Sequence, residues 1–199
     1  MTWAESFLVG AGLGISLAAP PGPIFAKVAF EVSRGRHLTG FLVGLGATCA
    51  DMMFFGLVAF GLLNATPPPA VLGALGLGGV VLMDFFAFSA WKSARVPPAP
   101  QEKGLSGWVG GFVLAVTSPF NWSWWLLSGV PFVALYGPTL GIGFFLAILS
   151  WVVLVVALFI WASQKVERFE VYVSYSSAVM LFGFGCWLAY HSTKLLLAP

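Results

Sequence analysis

Two carboxylates stand inside long apolar stretches of this chain. Asp51 falls within VGLGATCADMMFFGLVAFGLL (43–63) and Asp84 within VLGALGLGGVVLMDFFAFSAW (71–91). A carboxylate at the centre of a membrane-crossing helix costs about 2.5–3.5 kcal/mol on insertion scales. It therefore needs hydrogen-bond donors, a proton or a cation, and the last two can exchange for one another. No Lys or Arg lies comparably deep in these stretches. Gly40, Gly44, Thr48 and Asp51 share one face at helical spacing, as do Gly76, Val80 and Asp84. Faces of small residues let helices approach closely, so both carboxylates are expected to point into a helix bundle.

Prolines supply the second kind of chemistry. In SLAAPPGPIFAKVAF (16–30), Pro20, Pro21 and Pro23 surround Gly22 within an apolar run. Proline lacks the N–H that a helix needs and crowds the preceding turn. The backbone carbonyls freed before it must then find another partner when lipid surrounds them. In TSPFNWSWW (117–125), Ser118-Pro119 reads as an N-cap followed by the first helical residue. A helix starting there aims free N–H groups and a positive dipole end into the membrane. The first break thus offers acceptors for an ammonium and the second offers donors for a carboxylate. Asn121 could bind either group, and Trp122 could offer its ring face to an ammonium. A lone proline would be read as a packing kink; paired breaks point to a binding site. The candidate substrate-binding set is Pro21, Gly22, Pro23, Asp51, Asp84, Ser118, Pro119, Asn121 and Trp122, with Asp51 as the proton-coupling group.

The elements that must hold these groups are membrane helices. Of the 199 residues 59% are hydrophobic and 8% charged, against about 25% charged in a soluble domain. Six apolar segments are legible, at about 4–28, 38–63, 68–91, 107–133, 139–162 and 173–195. Each reaches the ~20 residues that span the hydrocarbon core. Eight of the nine Lys and Arg lie at or beside the connections after segments one, three and five. The positive-inside rule puts those connections in the cytoplasm and both termini outside. Lys27, Arg34, Arg36 and His37 are read as such orientation signals, and the Gly10/Gly14 pair as a packing or dimer face.

The order of features repeats. Pro21 and Pro119 stand 98 residues apart, and Lys92 and Lys194 stand 102 apart. Three spans per half is an odd number, so the halves must enter the membrane from opposite sides, as in inverted-repeat transporters. The expected fold is an all-α integral membrane protein of six helices. Its organisation is a first repeat over 1–93, a cytoplasmic linker over 94–106 and a second repeat over 107–199, with helices one and four broken at their prolines. The sequence contains no nucleotide-binding loop, His/Cys metal cluster or nucleophile–base motif, so neither enzymatic activity, a cofactor, a bound metal nor a nucleic-acid partner is expected. Cys49 and Cys186 both lie inside apolar runs and form no CxxC pair.

The PPGP element, EVSRGRHLTGFLVGLGATCADMMF and TSPFNWSWWLLSGVPF together resemble the LysE/RhtB family of amino-acid exporters. The resemblance extends over essentially the whole chain, with Ser118-Pro119 where the family often has Asn-Pro. It implies a multi-pass cell-membrane protein that exports amino acids from the cytoplasm by proton antiport, often as a homodimer. Two carboxylates beside freed carbonyls suit a basic or small neutral amino acid. They would also suit a divalent cation with hard oxygen ligands, a substrate of other branches of the same superfamily.

Overall fold

The computed structural model describes residues 2–20, 22–61, 69–95 and 104–197. Among these residues every regular element is helical. In chain order they are α1 (Trp3–Ala18), α2 (Pro23–Ser33), α3 (His37–Ala59), α4 (Pro69–Ser93), α5 (Gly104–Thr117), α6 (Pro119–Trp124), a π-helical turn (Trp125–Gly129), α7 (Val130–Tyr136), α8 (Leu140–Lys165) and α9 (Phe169–Leu197). α3, α8 and the Phe169–Lys194 part of α9 are long and apolar enough to cross a membrane. The bent pair α1–α2 makes a fourth candidate span, and α5 holds a shorter apolar stretch over Gly107–Thr117. Among the described residues this makes up to four candidate spans against the six segments of the sequence: α4, the counterpart of segment three, is not among them, and the second break cuts segment four into α5 and α6, of 14 and 6 residues, ahead of the π-turn. A piece that short does not span ~30 Å at 1.5 Å per residue.

The first break is sharp. α1 ends at Ala18, α2 starts with Pro23 at its first position, and the two axes meet at 74°. The second is shorter, a single residue between α5 and α6. Ser118 takes extended backbone (φ −76°, ψ 117°), Pro119 opens α6, and the Trp122 N–H donates to the Ser118 carbonyl to close the first turn. The helix then runs through the π-turn into α7. Pro131 explains that turn: it cannot donate to the carbonyl of Leu127, and the Val130 N–H reaches back five residues to Trp125.

Packing follows a simple rule of exchange. α1 lies along α8, α5 lies along α3, and α4 lies along α9, while α2 packs into the middle against α3, α8 and α9. The first two crossings use equivalent residues. A Cβ on Gly10 would sit 2.0 Å from the Leu140 carbonyl oxygen, and one on Gly111 would sit 1.9 Å from that of Val43. On the facing helices, a Cβ on Gly143 or on Gly46 would sit 2.0 Å from the Phe7 or the Trp108 carbonyl oxygen. Gly44 faces Val152 as Gly141 faces Phe55. Moving 101 residues along from α1 and 97 along from α3 converts these glycine contacts of one crossing into those of the other. Gly10 and Gly14 thus spend their small face on α8 within the chain.

Among the described residues the largest apolar cluster includes Leu17, Phe54, Trp125, Leu140, Phe144 and Ile148. It ties the end of α1 to α3, the π-turn and α8, and so fixes both breaks relative to Asp51.

Candidate functional site

A cavity of about 610 Å³ opens at the two breaks. Ala18, Pro20, Gly22 and Pro23 line it from the first, and Ser118, Phe120 and Asn121 from the second. α3 contributes Thr48 and Asp51. Gly22, Pro23, Asp51, Ser118 and Asn121 of the sequence-derived set therefore share one space. Pro21 lies outside the described residues, and Pro119 enters only as the opening residue of α6.

Asp51 is 5% exposed and held by two donors. Asn121 Nδ2 donates to its Oδ1 at 3.2 Å and Trp125 Nε1 donates to the same oxygen at 3.1 Å. Both donors are themselves buried, Asn121 at 4% and Trp125 at 1%. The Trp125 ring is wedged between Phe54, Phe55, Phe144 and Trp124, with centroids 5.3–6.3 Å away, so its N–H has one direction available. Such bonds are stronger when the accepting carboxyl is ionised than when it is neutral. They lower the cost of the carboxylate without supplying a positive charge. Among the described residues lining the cavity, Asp51 is the one charged side chain.

The first break presents both polarities at once. α1 ends with its last carbonyls directed past Ala18, and Leu17 and Ala18 line the cavity. α2 begins with Gly22 at its N-cap, where no side chain caps the N–H groups of Ile24 and Phe25, which also line the cavity. A helix C-terminus favours positive charge and a helix N-terminus negative charge. Ser118 occupies the N-cap position expected of it, but its hydroxyl makes no capping bond.

Three sequence expectations need correction. Asp84 does not point into the bundle. It is exposed and lines a separate groove between α4 and α9 with Ala87, Phe88 and Trp91. Its neighbours Val81, Phe85 and Phe88 are 62–71% exposed. The face assignment failed because α4 is apolar on all sides, so spacing alone did not select an inner one. Trp122 is turned away from the cavity. Its Nε1 donates to the Val116 carbonyl at 2.8 Å and its ring packs edge-on against Phe54. Lys27 is more than an orientation charge: it is buried, ion-paired with Glu31, and its Nζ lies 4.2 Å from the centroid of Phe86. Arg36 Nε closes the cluster 2.6 Å from the other Glu31 oxygen. The residue that the sequence reading missed is Trp125. Its spacing of four from Asn121 puts both on one helical face, which was the available signal.

The family model for LysE type translocators matches residues 15–192, which covers both breaks and Asp51. The chain belongs to the LysE type translocator family. LysE translocators are transporters, not enzymes, and this member is a multi-pass membrane protein. It is 27% identical over 119 residues to the "Putative amino acid efflux protein YcgF" of Bacillus subtilis (strain 168). That match covers 57% of this chain and 57% of the relative. No solved structure matches the chain.

Proposed function

We propose that this LysE translocator exports amino acids from the cytoplasm, by proton antiport, through the cavity between the two breaks. The observation that carries the reading is the pairing of opposite polarities in one space. Asp51 and the carbonyl end of α1 suit an α-ammonium, and the uncapped start of α2 suits an α-carboxylate. Helix ends at a break are how many transporters meet charged substrate groups without charged side chains. The efflux role in the name of the YcgF relative supports the same direction. Asp51 supports the coupling: a proton and an ammonium compete for one carboxylate, so loading either releases the other. Six spans, two inverted three-helix repeats over 1–93 and 107–199, external termini and a homodimer complete the reading. The exchange relation between the α1–α8 and α5–α3 crossings supports the repeat, and the clustering of Lys and Arg supports the orientation.

The divalent-cation alternative needs Asp51 and Asp84 as ligands of one ion. Asp84 lies in a different groove, which favours the amino acid. Cells expressing the protein should resist toxic amino-acid analogues and toxic dipeptides. Resistance to manganese or cadmium, with unchanged sensitivity to the analogues, would reverse the choice.

A further inference from the structure

We infer that the side chain of the transported amino acid is large and apolar, of the leucine or phenylalanine type, and that Trp151 and Ile148 of α8 select it. The inference rests on the amino-acid reading of the site and names the class of substrate within it.

The cavity's one carboxylate and its one amide, Asp51 and Asn121, are hydrogen-bonded to each other among the described residues. Asp51, Asn121 and the first break can account for the α-ammonium and α-carboxylate that every amino acid carries. What remains for the variable part of the substrate is the apolar lining from α8 and α9 with Met83 and Leu114. It includes Ile148, Trp151, Val152 and Phe184, and among the described residues it carries no charged side chain. The exchange relation sharpens the contrast. The position on α8 that corresponds to Asp51 on α3 is Ile148, which is 4% exposed and also lines the cavity. One half of the molecule places a carboxylate at this point and the other half places a branched alkyl group.

A lysine or arginine side chain would bring a second cation into this space. Asp84 cannot serve it, being in the outer groove, and Glu31 is already paired with Lys27 and Arg36. An unpaired charge moved into an apolar site carries a large desolvation cost. A serine or glycine side chain would carry no charge penalty but would bury little apolar surface against Ile148, Trp151, Val152 and Phe184. Hydrophobic pockets discriminate about 10–200-fold per methylene they fail to fill. A bulky apolar side chain satisfies both conditions.

The test is initial-rate transport by the full chain in proteoliposomes, with labelled leucine, phenylalanine, serine and lysine. Leucine and phenylalanine should exceed serine and lysine in kcat/KM by at least about tenfold. Trp151→Ala should then raise KM for phenylalanine more than KM for serine, shrinking the lead of phenylalanine over serine about fivefold or more. Trp151 is only partly buried, and the wild-type ranking decides the matter even if this variant does not fold. Lysine or serine carried as well as leucine would overturn the side-chain class and leave amino-acid export standing. A monodisperse, correctly inserted protein that carries none of the four would overturn both.

Discussion

The two breaks begin from the same device and end differently. At the first, the chain turns through 74° and presents bare helix ends to the cavity. At the second, the helix restarts within one residue and continues through the π-turn, delivering Asn121 and Trp125 to Asp51. The crossings that carry the breaks are interchangeable; the contents are not. The first half contributes a carboxylate on α3 and an open break. The second contributes the donors that hold the carboxylate and an isoleucine where the carboxylate would recur. Such a pair suggests a shared scaffold whose symmetry is kept in helix packing and abandoned in the site. Packing is a requirement on both halves equally, whereas a single substrate needs one charged end.

The largest expected effect comes from breaking the shared part. Gly111→Ala and Gly10→Ala each drive a Cβ to within 2.0 Å of a backbone oxygen on the facing helix, which no rotamer change relieves. Each should cost at least about 1–3 kcal/mol by overpacking, seen as a drop in thermal stability in detergent and loss of monodisperse protein. If the two crossings are equivalent, the losses should match. Gly12→Ala supplies the control. It lies on the same helix with nothing within 4 Å of its Cβ, so it should be neutral or gain up to about 1 kcal/mol from helix propensity. Unequal losses from Gly10 and Gly111 would break the equivalence.

The next effect sharpens the part that differs. Trp125→Phe keeps the aromatic packing against Phe54 and Phe144 and removes one donor to Asp51. Loss of one partner of a buried hydrogen bond costs about 1–3 kcal/mol. Export should fall while the melting transition shifts only modestly, as measured by efflux and thermal denaturation on the same preparation. The smallest effect belongs to Asp84→Asn. Its carboxylate faces the outer groove, so transport in vesicles should stay within about twofold of wild type, as for substitutions away from a site. A loss as large as that from Trp125→Phe would place Asp84 in the transport path after all.

Much of this arrangement was legible in the sequence, for identifiable reasons. Hydropathy marks segments, so the observed α3 and α8 start within a residue or two of the segments read for them. Prolines mark breaks because their missing N–H is a local property. The face of a helix is not local. Gly40, Gly44 and Thr48 gave Asp51 an inward face because small residues need a close neighbour, and they meet Val32, Val152 and the interior. Gly76 and Val80 gave Asp84 the same signature without the same outcome, since α4 is apolar all round. Trp125 is harder to single out because three tryptophans stand within four residues, and which of them shares the face of Asn121 depends on where the restarted helix runs regularly.

The central claim is that Asp51 is where proton and substrate compete. Asparagine there keeps the shape, and it can still accept from Trp125 and Asn121 through its amide oxygen, but it can bind neither a proton nor an ammonium as a charge. The decisive measurement is amino-acid accumulation in vesicles of defined orientation under an imposed pH gradient, comparing wild type with Asp51→Asn at equal insertion and equal thermal stability. Wild type should accumulate substrate against its own gradient, and the variant should show no response to ΔpH. Accumulation by Asp51→Asn that tracks ΔpH as wild type does would contradict the mechanism and leave Asp51 a structural carboxylate.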